Sequence, residues 1–132
     1  MAEATRNPSL LTINAPRMMV IDPCPYPDWV YRRYAECGID VEVRPGEHWA
    51  GRFDEGWIYN CLQHVEDPER VVCAMQANCR RIRVFEWVGI PAYDGHPHEL
   101  DARLLEQWLG ARGTEEYVNQ DGAVGLAFFG VF

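Results

Sequence analysis

From Met18 onward the chain alternates short apolar runs with amphipathic stretches, punctuated by proline and glycine. Met18 to Ile21 is a strand-length apolar run, stopped by Asp22-Pro23-Cys24-Pro25-Tyr26-Pro27, where prolines remove backbone donors. Pro27 then suits the first position of a helix with Val30, Tyr34 and Cys37 on its buried face and Gly38 as terminator. Ile39, Val41 and Val43 alternate with Asp40, Glu42 and Arg44, the period of a half-exposed strand, which Pro45-Gly46 ends.

The segment FDEGWIYNCLQHVEDP, Phe53 to Pro68, is the most informative. Trp57 to Cys61 reads as a central strand that ends in polar side chains, with Asn60 and the Gln63-His64 pair following. Open α/β sheets build ligand sites at such carboxyl ends of strands. Asp67 then caps a helix with Pro68 in its first turn and a stripe of Val71, Val72, Met75 and Cys79. Ile82 to Val88 returns as a strand. The connection GIPAYDGHPHEL leads to a helix capped by Asp101, with Leu100 and Leu105 as a hydrophobic staple and Leu104, Leu105, Trp108 and Leu109 as its core face. Thr114 to Val118 and Val124 to Val131 read as closing strands around Gln120-Asp121-Gly122, a hairpin turn signal. Ahead of all this, residues 1–9 form a polar arm and Leu10 to Ile13 a short strand. The order β-α-β-β-α-β-α-β-β, without internal repeats, predicts a layered α/β sheet with an antiparallel edge.

Composition narrows the function. The 132 residues, 48% apolar with five Trp, six Tyr and five Phe, suit one globular domain. Its expected extent is 18–132, with 1–17 as an arm or edge strand. A formal charge of −8 argues against a nucleic-acid backbone as partner. All twelve basic residues are Arg, so Schiff-base chemistry on a lysine is excluded. Five cysteines without a Cys-x-x-Cys pair read as free thiols packed among apolar neighbours, in a reducing, cytoplasmic setting. No signal-peptide pattern and no membrane-length apolar run is present, so no membrane partner is expected.

Several residues carry candidate chemistry. Asp22, at a strand end, could accept bonds from a ligand's hydroxyls or make a turn with Pro23. Asn60 could contact a ligand or cap its turn. Histidine is the side chain suited to proton removal near neutrality, which makes His64 the candidate catalytic base. His96-Pro97-His98 is weak evidence for a metal, because no third ligand lies at recognisable spacing; no metal is expected. One of these histidines is expected to face substrate and the other to order the loop. Tyr59 and Glu86, near strand ends, complete the substrate-side set. Trp57, Trp87 and Trp108 read as core.

From about Met18 to Phe132 the chain resembles the later part of the class I S-adenosylmethionine-dependent methyltransferases. The resemblance rests on VIDP (Val20 to Pro23), on FDEGWIYNCLQHVEDPERVV, and on FEWV followed by GHPHELDARLLEQWL, in that order. It implies a Rossmann-like three-layer sandwich, with a mostly parallel sheet closed by the hairpin AVGLAFFGVF. It also implies that S-adenosyl-L-methionine is the cofactor. Asp22 would hold its ribose, Glu47 and His48 its adenine, and Asn60 and Gln63 its amino-acid part, with a small-molecule acceptor alongside. The family's glycine-rich first turn has no counterpart, since no glycine precedes Gly38. Only four residues separate Ile13 from Met18, too few for a parallel crossover of at least about ten. The first βα unit is therefore expected to be missing. The N-terminal segment, another copy or a separate chain would fill the gap, so a homo-oligomer or a sheet-completing partner is expected. The expected function is that of a truncated methyltransferase-like protein. Its rivals are a non-catalytic binding or assembly module, and an enzyme of other chemistry built on His64, His96 and His98.

Overall fold

The structure, a computed structural model, describes residues 17–132 apart from Asp121, with only the backbone of Gln120. The expected strand Leu10 to Ile13 lies outside the described residues. The chain divides into two compact units, Met1–Trp49 and Ala50–Phe132.

In the first unit, β1 (Met18–Ile21) and β2 (Ile39–Glu42) pair in parallel, with Met18 opposite Ile39. Helix α1 (Asp28–Glu36) connects them. Pro27 is its N-cap residue, at φ −60° and ψ 150°, one position earlier than expected. Gly38 terminates the connection at φ 70°, a conformation that costs glycine little. Val20, Val30, Tyr34 and Ile39 are the buried core. Cys37, expected on that face, is exposed beyond the last turn. Val43, expected to continue β2, is 50% exposed and outside it.

In the second unit β3 (Phe53–Tyr59), β4 (Cys79–Trp87), β5 (Thr114–Gln120) and β6 (Ala123–Val131) form one sheet in the order β3-β4-β6-β5. β3 and β4 are parallel, whereas β6 runs antiparallel to both β4 and β5. Among the described residues β3 therefore ends its sheet, although its apolar run reads as a central strand. β3 and β4 also begin earlier than their apolar runs, because Asp54, Glu55, Arg80 and Arg81 join the ladder while their side chains pair.

Helix α2 (Pro68–Asn78) links the parallel strands. Asp67 caps it by accepting the Arg70 N–H at 3.0 Å, and proline occupies the first position, where its missing N–H costs nothing. Helix α3 (Ala102–Leu109) is capped by Asp101, which accepts the Leu104 N–H at 2.7 Å, and it ends at Gly110 with φ 71°. Both helices pack on one face of the sheet, where Ile58, Leu62, Val72, Val84, Leu105 and Phe128 form the core. Trp108 borders this core as expected. Trp57 and Trp87 do not, because period two sends them to the opposite face, where Trp57 stacks on Tyr59 and Trp87 meets Phe85 edge-on.

Candidate functional site

The second unit gathers its polar candidates where β3 and β4 end. Beyond Tyr59 the chain turns sharply, and Asn60 adopts φ 49°, the one left-handed non-glycine among the described residues. Such a conformation needs outside support. Asn60 N–H bonds to Phe85 O at 2.7 Å, and the Asn60 side chain accepts from the Gln63 amide at 2.8 Å. Beneath the turn lies Glu86, with no exposed surface. Its Oε1 accepts the backbone N–H groups of Cys61 at 2.9 Å and Leu62 at 3.1 Å. Its Oε2 is buried without a hydrogen-bond partner. Burial pushes the carboxyl up to about 7, against the opposing effect of those two bonds. Glu86 was expected to face substrate; in the structure it is under the turn, shaping it.

A single 3-10 turn, Leu62–His64, then delivers His64 to the surface. Its Nδ1 lies 2.8 Å from Gly95 O. A carbonyl can only accept, so Nδ1 carries the proton and Nε2 keeps its lone pair free in the neutral ring. The Gly95 carbonyl belongs to a tight hairpin in which Tyr93 and His96 exchange both backbone bonds, at 2.9 and 2.8 Å. Asp94-Gly95 forms its two-residue loop, with Gly95 at φ 85°. His96 packs edge-on against His64 with ring centroids 4.1 Å apart, and Tyr93 stacks on His96 at 4.3 Å. His96 Nδ1 is buried without a partner, and burial followed by the charge of His64 lowers the His96 pKa. His98 donates Nε2–H to Val65 O at 2.9 Å and to Glu66 O at 3.2 Å. The two loops are thus tied together by His64 from one side and His98 from the other.

The structure brings Asn60, Gln63, His64, His96 and His98 into one neighbourhood, with Glu86 as its support. Tyr59 points instead to the sheet face opposite α2 and α3, 48% exposed and stacked on Trp57. Tyr93 and the Gly95 carbonyl do not stand out in the sequence, although Asp94-Gly95 is a turn signal that marks them.

In the first unit Asp22 follows β1 directly. Its Oδ1 accepts the Cys24 N–H at 2.8 Å, and its Oδ2 accepts the Tyr26 hydroxyl at 2.8 Å. Both the turn reading and the strand-end placement thus hold for this residue. Burial and then Asp22 raise the Tyr26 pKa, so this hydroxyl stays a donor. A carboxylate offers about four acceptor positions, so Asp22 retains capacity for further hydroxyl donors. Glu47 and His48 share a short 3-10 turn, Gly46–His48, in which His48 is exposed. The described residues contain no cluster of three or more His, Cys, Asp or Glu side chains that could hold a metal. No described helix is long and apolar enough to cross a membrane.

No family model and no curated protein matches the chain. Solved structures do. A 1,6-didemethyltoxoflavin-N1-methyltransferase from Burkholderia thailandensis, with bound 1,6-didemethyltoxoflavin and S-adenosylhomocysteine, matches at TM-score 0.63 and 17% identity. The match covers 84% of this chain and 59% of that one. The [4+2]-cyclase SpnF matches at TM-score 0.62 and 20% identity over 87% of this chain and 50% of its own. The N-methyltransferase NodS from Bradyrhizobium japonicum WM9, in complex with S-adenosylhomocysteine, matches at TM-score 0.57 and 15% identity over 86% and 65%. The chain therefore has a methyltransferase-like α/β fold, and it spans 59% and 50% of the first two of these neighbours.

Proposed function

We propose that this protein binds S-adenosylmethionine and transfers its methyl group to a small acceptor. The observation that carries the reading is the turn after β3, where a left-handed Asn60, buttressed by Glu86 and bonded by the buried Gln63, leads to the exposed His64. The occurrence of S-adenosylhomocysteine in two of the neighbouring structures supports it.

Taken one by one, the donor residues of each unit suit groups of the cofactor. Asp22 keeps acceptor capacity for ribose hydroxyls, Glu47 and His48 follow β2 where adenine is expected, Asn60 offers an amide for the amino-acid end, and the buried Gln63 would act there through its bond to Asn60. The cofactor supplies an already activated methyl group, so positioning the acceptor does most of the catalytic work. His64 is the base in this reading. With Nδ1–H fixed on Gly95 O, its Nε2 keeps the lone pair that would take a proton from the acceptor. Unprotonated His96 beside it adds no second charge against the imidazolium that forms. His96 and Tyr93 would flank the acceptor.

Calorimetric titration with S-adenosylmethionine and S-adenosylhomocysteine tests the cofactor. Binding is expected, and Asp22→Ala should weaken it at least about tenfold, the loss of roughly 1.4 kcal/mol expected for charge-assisted hydrogen bonds. No binding up to millimolar ligand would overturn the reading. His64→Ala should lower turnover by about a hundredfold or more while cofactor affinity stays unchanged; equal turnover would remove His64 from the chemistry. The second reading, a non-catalytic methyltransferase-like assembly module, is favoured by the absence of any glycine before Gly38. It predicts a folded protein that binds neither ligand.

A further inference from the structure

The four-stranded sheet carries α2 and α3 on one face, and the other face is aromatic. Trp57, Tyr59, Phe85, Trp87, Phe129 and Val131 share it by strand register. Their rings form a continuous band: Trp57 to Tyr59 at 5.3 Å, Tyr59 to Phe85 at 6.3 Å, and Phe85 to Trp87 at 5.3 Å between centroids. Trp87 lies flat across Gly125, where an added Cβ would stand 2.8 Å from the indole ring. Tyr59 and Val131 are 48% and 52% exposed, and an open trough of about 400 Å³ runs between them past Phe85 and Phe129. Parallel strand pairs are ordinarily covered on both faces, and an exposed apolar patch of this size marks an interaction site.

We propose that this face is the contact between two copies of the chain. Its charges are balanced within the face. Glu55 is held by Arg81 at 2.7 Å, by Arg83 at 2.6 Å and by the Trp57 indole N–H at 2.6 Å. Glu116, on the same face through its pairing with Ala127, is the second acid against those two arginines. The whole chain, by contrast, carries −8. Two copies repel each other through their net charge, to which this locally neutral, apolar patch adds nothing, and a strongly charged partner would find no countercharge there.

The area is sufficient. Four strands of seven to nine residues, at about 3.3 Å per residue and about 4.8 Å between strands, span roughly 500 Å². Two such faces packed about 10 Å apart share a combined footprint of about 1,000 Å², the lower bound for a specific interface. This contact stands independently of the cofactor reading.

Sedimentation equilibrium on the full chain, from micromolar to millimolar protein and at low and high salt, tests it. A monomer–dimer equilibrium is expected that tightens as salt screens the net charge. Val131→Glu and Tyr59→Ser should each weaken it at least about tenfold, about 1.4 kcal/mol, with an unchanged far-ultraviolet spectrum, whereas Val131→Ile should preserve it. Both positions are already half in water, so the fold tolerates the changes. A monomer at every concentration overturns the proposal and leaves the face to a different chain. A dimer that survives both disruptive variants, or that weakens with salt, overturns it as well.

Discussion

A carboxylate with no exposed surface is a costly residue, and Glu86 holds that position beneath the Asn60 turn. Its pKa in the folded protein, about 7, lies above the ordinary 4.5, because burial outweighs the two backbone N–H bonds. The folded state therefore binds this proton more tightly than the unfolded chain does. The stability it contributes is complete below about pH 4.5 and is lost as pH rises through 7. Glu86→Gln keeps an acceptor for Cys61 and Leu62 and cannot ionise. Urea unfolding at about pH 5 and about pH 8 should show the wild type losing about 3 kcal/mol relative to the variant, since each tenfold difference in proton affinity is worth about 1.4 kcal/mol. Parallel pH profiles would mean that another group sets the dependence. At this scale the sequence was informative where polar side chains interrupt apolar runs: Asn60, Gln63, His64, His96 and His98 stood out, and the fold brings them together. The burial of Glu86 was also encoded. It falls in phase with Ile82, Val84 and Val88, all of which face the helices.

Capping chemistry decided which elements could be read most closely. Asp67 and Asp101 both accept an N–H from the third residue onward, and Gly38 and Gly110 both adopt the left-handed conformation at helix ends. Asp101→Ala should destabilise the second unit by about 1 kcal/mol, and Asp101→Ser should recover most of it. Thermal unfolding of the two variants checks this; equal melting points would mean that the cap carries no net energy. Face assignment was harder. In FEWV both faces of β4 are rich in apolar side chains, so alternation alone cannot say whether Trp87 belongs to the core. That depends on which face α2 and α3 cover, a non-local choice made between residues far apart in sequence. Tyr59 escapes a sequence reading for the same reason: next to Asn60 in the chain, it sits one residue out of phase and on the other side of the sheet.

For the whole molecule, the order of strands and helices was legible, but their grouping into a parallel pair and a separate four-stranded sheet was not, because pairing partners lie far apart in the chain. Net charge, which is read directly from composition, governs the last expectation. The ion pairs Arg33–Glu36, Arg44–Glu42 and Arg80–Asp54, and those that Glu55 makes with Arg81 and Arg83, each have at least one well-exposed member. Such pairs contribute about 0–1 kcal/mol each before screening. Against them stands an excess of eight negative charges over a small surface. Salt screens both effects, so the sign of its influence tells which is larger. The pairs are local and partly satisfied by water, whereas the repulsion acts among all the acidic side chains at once. Repulsion therefore outweighs the pairs, and raising sodium chloride from about 0.01 M to about 0.5 M should raise the melting temperature by several degrees. The measurement belongs at low protein concentration, where self-association does not add to it. A melting temperature that falls with salt would show instead that the Glu55–Arg81–Arg83 network and its neighbours hold the fold more strongly than the net charge opposes it.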